Sequence, residues 1–160
     1  MFELGGENIQ LGKYEAIDLL EYENYQPQIL SHEINLLVVE VVKPIDKKIM
    51  RRFGMVKRIS NIINHLEKIE IDEIVEKIPT IEIKDKSFAI RLVKKNGDSE
   101  SKIAKLLGEK ISPKNKIDLN NPDVKIFYYS GENTIISKWD KNMETYYSKC
   151  LAHHVKYRPY

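Results

Sequence analysis

Phe88-Ala89-Ile90-Arg91-Leu92-Val93 is the stretch that most restricts how this chain can fold. Phe88, Ile90 and Leu92 alternate with Ala89, Arg91 and Val93, so both faces are largely apolar, as in a strand covered on both sides. Lys94-Lys95-Asn96-Gly97 then reads as a turn. Asp98 and Ser99 are helix N-cap types, and Ile103, Leu106, Leu107 and Ile111 recur at helical spacing until Ser112-Pro113. Val124 to Tyr129 is rich in β-formers. Gly131-Glu132-Asn133 turns the chain, and Thr134 to Ser137 returns as the second arm of a hairpin.

Upstream, Phe2 to Leu4 reads as a short strand before Gly5-Gly6, and Lys13 to Glu23 as a helix with Tyr14, Ile17 and Leu20 inward and Leu11 and Leu19 beside them. Pro27 to Ser31 and Ile34 to Val41 read as a strand pair joined at His32-Glu33. Pro44 is placed to start a helix. Ile45, Ile49, Met50 and Phe53 fall on one side of it, Lys47, Lys48, Arg51 and Arg52 on the other, with Gly54 as its C-terminal cap. Met55 to Ile59 is a strand carrying Lys57 and Arg58. The order strand, helix, strand, strand, helix, strand is that of a ferredoxin-like split βαβ unit. Ser60 to Leu66 and Ile69 to Ile78 read as two helices leading into the Phe88 strand, and Pro79 stops the second.

Charge is segregated along the chain. Residues 1–42 carry a net −7, 43–66 a net +6, 67–85 a net −4 and 86–160 a net +7, which leaves +2 overall. Such patches suit a polyanionic partner, the alternative being ordinary solvated surface. No apolar run approaches the roughly 20 residues of a membrane span, and MFELGGENIQ lacks the pattern of a signal peptide. The single cysteine, Cys150, excludes an internal disulfide and suits a cytoplasmic protein. Cys150, His153 and His154 offer too few ligands for a structural zinc, so no metal site is expected. No glycine-rich strand-to-helix loop and no Asp/Asn-Pro-Pro-aromatic motif is present.

FAIR, the two lysines after it, the LLG of the next helix and KIDLNNPDVKI together resemble the THUMP domain, an RNA-binding module of RNA-modifying enzymes. Over its whole length the chain resembles the N-terminal half of archaeal tRNA guanine-10 N2-methyltransferases. The similarity rests on FELGGENIQLGKYEAIDLLE, RRFGMVKRISNII, KIDLNNPDVKI and KYRPY in that order. The resemblance implies an α+β chain: a ferredoxin-like βαββαβ domain over 1–59, a THUMP domain (ααβαββ) over 60–141, and a linker over 142–160 towards an absent catalytic domain. It implies tRNA as partner, gripped at its acceptor 3′ end, and a C-terminal or separate methyltransferase domain. S-adenosylmethionine is expected only in that domain, so this chain alone is expected to hold no cofactor and no catalytic residue. Arg51, Arg52, Lys57, Arg58, Arg91, Lys94 and Lys95 are the candidate RNA contacts, because Lys and Arg pair with phosphates. A solvated helix face is the competing account of the first four, and a structural pairing that of Arg91. Tyr128, Tyr129, Tyr146 and Tyr147 are candidates for base stacking, against plain sheet packing. The alternative function is a free-standing THUMP adaptor that recruits RNA to a separate enzyme; a small-molecule-sensing ferredoxin-like domain is a third reading.

Overall fold

The computed structural model describes residues 1–5, 8–67, 73, 76, 83, 85–92, 102, 105, 109, 116–131 and 133–140. It is α+β, and its described residues form two compact units, one ending at Ser60 and the other beginning at Asn61.

The first unit runs β1 (Phe2–Leu4), α1 (Ile9–Tyr22), β2 (Gln28–Glu33), β3 (Leu36–Glu40), α2 (Lys47–Met50) and β4 (Val56–Ile59). Its sheet is antiparallel in the order β2-β3-β1-β4, with Phe2 registered between Leu37 and Ile59 and Glu3 between Leu36 and Arg58. Phe2 and Leu4 alternate with Glu3 and are buried in the core beside Phe53, which meets the Phe2 ring edge-on with centroids 5.6 Å apart.

Helix α1 begins earlier than the sequence reading places it, because Asn8 caps it: its side chain accepts from Leu11 N at 3.0 Å. Its buried stripe also differs. Gly12, Ala16 and Leu20, spaced four apart, face the core, while Leu11 and Tyr14 are 51% and 60% exposed. Small residues let the helix come close. A Cβ on Gly12 would sit 3.4 Å from the Met55 carbonyl oxygen. The helix ends with Asn24 at φ 60, Asn24 N bonding Glu21 O and Tyr25 N bonding Leu20 O, a Schellman ending sealed by buried Leu20 and Tyr25.

Three further expectations change. The β2–β3 turn is Ile34-Asn35 rather than His32-Glu33, since Glu33 pairs with Leu36. Helix α2 is a single turn that starts after Asp46, not at Pro44, because the Asp46 carboxylate accepts from Lys48 N and Ile49 N. Its C-cap is Arg51 rather than Gly54, whose amide is instead taken by the Glu15 carboxylate.

The second unit contains β5 (Asn61–Glu67), β6 (Phe88–Leu92), β7 (Val124–Ser130) and β8 (Asn133–Asp140), in the sheet order β5-β8-β7-β6. The helix expected over Ser60 to Leu66 is therefore a strand, and the helix-helix opening of the ααβαββ order is corrected. Adjacent Ile62 and Ile63 fit either period, and antiparallel pairing with β8 over Asn61 to Glu67 decides for the strand. β6 is parallel to β7, and β7 and β8 form the hairpin. β8 extends to Asp140, so Trp139 belongs to the strand rather than to its ending. Phe88, Ala89 and Ile90 are all buried, as a strand covered on both faces requires. Glu73, Glu76, Lys102, Lys105 and Glu109 have helical backbone and are exposed. The remainder of the two helices expected around them, and the tail from residue 141, lie outside the described residues.

Candidate nucleic-acid interface

Among the described residues, the candidate cations are concentrated on α2, the turn after it, and β4. Ile49, Met50 and Phe53 anchor this segment in the core, and Lys47, Lys48, Arg51 and Arg52 are left exposed. The Asp46 cap holds the start of the turn. Amide bonds, chiefly from Ile49 and then Lys48, keep its carboxyl below the usual range.

The joint between α2 and β4 is fastened from α1. Glu15 accepts from Gly54 N through Oε1 and from Met55 N through Oε2, each at 2.8 Å. A carboxylate on two consecutive amides fixes both the position and the direction of the chain entering β4. A Cβ on Gly54 would lie 3.1 Å from Glu15 Oε1, so glycine gives the carboxylate room to dock.

The cations differ in what they face. Arg51 is exposed and has no ion-pair partner among the described residues. Arg52 pairs with Glu23, and its guanidinium carbon lies 5.6 Å from the centre of the Tyr22 ring. Lys57 Nζ and Arg58 Nη1 contact the two oxygens of Glu3 at 3.1 and 3.2 Å. The Glu3 side chain is only 8% exposed, and the register that sets Glu3 opposite Arg58 gives the buried carboxylate its counter-charges. Three of the cations in the +6 segment are thus tied to carboxylates from the acidic segment before it. The local excess is smaller than the linear sequence suggests.

Arg91 lies on β6 in the second unit. Its Nη2 donates to Leu119 O at 2.6 Å, and Nη1 to Ile90 O at 3.1 Å. It braces the loop over 116–123, where Asp118 accepts from Asn120 N and Asn121 N and Ser87 Oγ donates to Asp123 at 2.7 Å. The Asn121 and Asn120 amides hold the Asp118 carboxyl below its usual range. Lys94 and Lys95 lie outside the described residues, as do Tyr146, Tyr147, Cys150, His153 and His154.

Tyr128 and Tyr129 are 6% and 3% exposed within β7, so they pack in the sheet and offer no face for stacking. The sequence reading missed Tyr22, which is 76% exposed beside Arg52, and Trp139, whose ring lies 4.5 Å from Lys125 Nζ across the β7–β8 hairpin. The Trp139 pairing had a legible signal, since the hairpin register sets Lys125 opposite it. Among the described residues, no three His, Cys, Asp or Glu side chains gather as metal ligands. No described helix is long and apolar enough to cross a membrane. The arrangement supplies positive charge, hydrogen-bond donors and an exposed ring, which are means of binding an anionic partner.

No protein-family model matches the chain, and no curated protein matches it. Solved structures do. PH1313 from Pyrococcus horikoshii Ot3 superposes with a TM-score of 0.60 at 16% identity, over 86% of this chain and 52% of that one. TrmN from Thermus thermophilus gives 0.58 at 12% identity, over 82% and 43%. A 4-thiouridine synthetase, solved with RNA and bound ATP, gives 0.52 at 11% identity, over 86% and 39%. The chain thus spans about half the length of PH1313 and less of the other two. At these identities the likeness is one of fold: the two-sheet α+β architecture is consistent with a THUMP-type fold and is shared with these proteins.

Proposed function

We propose that this chain is the tRNA-binding portion of an S-adenosylmethionine-dependent tRNA guanine-N2 methyltransferase. In this reading a ferredoxin-like domain over 1–59 and a THUMP domain over 60–141 hold the tRNA acceptor end. The segment 142–160 links them to a catalytic domain, and the protein works in the cytoplasm. The observation that carries the reading is the fold likeness over 86% of the chain to a synthetase of a modified nucleoside that was solved with RNA. The βαββαβ order with sheet order β2-β3-β1-β4 supports the ferredoxin-like half. The likeness to proteins about twice this length or longer supports a further domain.

S-adenosylmethionine belongs, in this account, to that further domain. The first unit's sheet is wholly antiparallel, whereas the sites that bind such cofactors at a strand-to-helix turn sit on parallel doubly wound sheets. This chain's part is positional. Arg51, with Arg52, Lys57 and Arg58 beside it, takes phosphates of the acceptor arm. Arg91 shapes the loop over 116–123, and Lys94 and Lys95 follow it in sequence. Replacing both Arg51 and Lys57 with alanine should weaken tRNA binding and make the log–log salt slope shallower by about two, roughly one per lost phosphate contact. Unchanged affinity and slope in that variant would remove this surface from the account.

A further inference from the structure

We propose that Tyr22 is a stacking platform for an unpaired nucleobase of single-stranded RNA. The inference rests on the RNA-binding reading above and assigns one residue to it. Tyr22 is the last helical residue of α1, and the Asn24 ending turns the chain away directly after it. At 76% exposure its ring contributes little to the core. Its surroundings are cationic. The Arg52 guanidinium lies over it and is held there by Glu23. Lys43 Nζ donates to Glu23 O at 3.0 Å and covers the Tyr25 ring at 4.4 Å. Arg51 adjoins Arg52, and Lys48 lies one helical turn before it.

This arrangement matches the chemistry of a single strand. An aromatic face takes a base of any identity, while neighbouring guanidinium and ammonium groups take the phosphates on either side. An apolar protein partner would have to strip water from those cations without returning a counter-charge. The exposed ring of Tyr14 on the same helix has no such setting, because its neighbours Glu15 and Asp18 are acidic.

The test uses the full 160-residue chain and a short fluorescein-labelled single-stranded RNA, alone and annealed to its complement, read by anisotropy at low salt. Tyr22→Leu should lower single-strand affinity roughly tenfold, with an unchanged salt slope and little effect on the duplex. Tyr22→Phe, which keeps the ring, should bind within about twofold of the parent. If Tyr22→Leu binds the single strand like the parent while Arg51→Ala weakens it, stacking is wrong and the RNA reading stands. Equal losses in the Phe and Leu variants also overturn stacking. If the parent binds neither RNA, the RNA reading fails and stacking fails with it.

Discussion

Replacing Glu15 with alanine removes the fastening between α1 and the joint that leads into β4. Two hydrogen bonds are lost, to Gly54 N and Met55 N, each 2.8 Å long and each accepted by a carboxylate oxygen. Hydrogen bonds to charged groups contribute about 1.5–3 kcal/mol each when shielded. Here the Gly54 bond is exposed and the Met55 bond part-buried, so water recovers much of the first and little of the second. The expected cost is about 2 kcal/mol. Glutamine is the sharper probe, since it keeps the shape but turns an NH2 donor towards one of the two amide donors. It should cost nearly as much as alanine. Because the chain has two units, a single denaturation midpoint is a poor measure. Native-state hydrogen exchange at Gly54 and Met55 is direct, and about 2 kcal/mol corresponds to exchange faster by roughly 30-fold. Protection at both amides unchanged in Glu15→Ala would refute the argument that this carboxylate sets the path between the cations of α2 and β4.

The Ile34→Gly change should stabilise the first unit by about 1 kcal/mol, because Ile34 holds φ 50, a region costly for a β-branched residue, and is 64% exposed. A lower melting temperature would count against strain in the β2–β3 turn. The Met1 ammonium is buried against Ser60 O, and desolvation lowers its pKa from 8.0 to about 5. The unfolded chain therefore binds more protons between these values. Stability is greatest above pH 8 and falls by up to about 4 kcal/mol as the pH drops towards 5. An NMR titration of 15N-labelled Met1 checks the cause, and a midpoint near 8 would contradict it.

What was legible in the chain follows from how local each determinant is. The strands at Phe88, Val124 and Thr134 were readable because an unbroken apolar or β-branched run bounded by turns needs no partner to identify it. The cationic arc of Lys47, Lys48, Arg51 and Arg52 followed from helical spacing around Ile49 and Met50. The segment over 61–67 was misread because its side chains are compatible with both periods and the decision lies in β8, about 70 residues away. The α1 face was misread because contact distance, not hydrophobicity, selected Gly12 and Ala16. The electrostatics were least legible. Glu3 meets Lys57 and Arg58, and Glu23 meets Arg52, only after the sheet and helices have assembled. For the same reason no spacing rule pointed to Tyr22.

The most direct measurement of the central claim is a salt titration of this chain against intact tRNA and the same tRNA trimmed of its single-stranded 3′ tail. The account predicts binding that weakens with salt, with a log–log slope of roughly −3 for about four phosphates on a single strand, and a clear loss of affinity on trimming. Equal binding to both RNAs, or no binding at low salt, would contradict the claim that this chain holds the acceptor end.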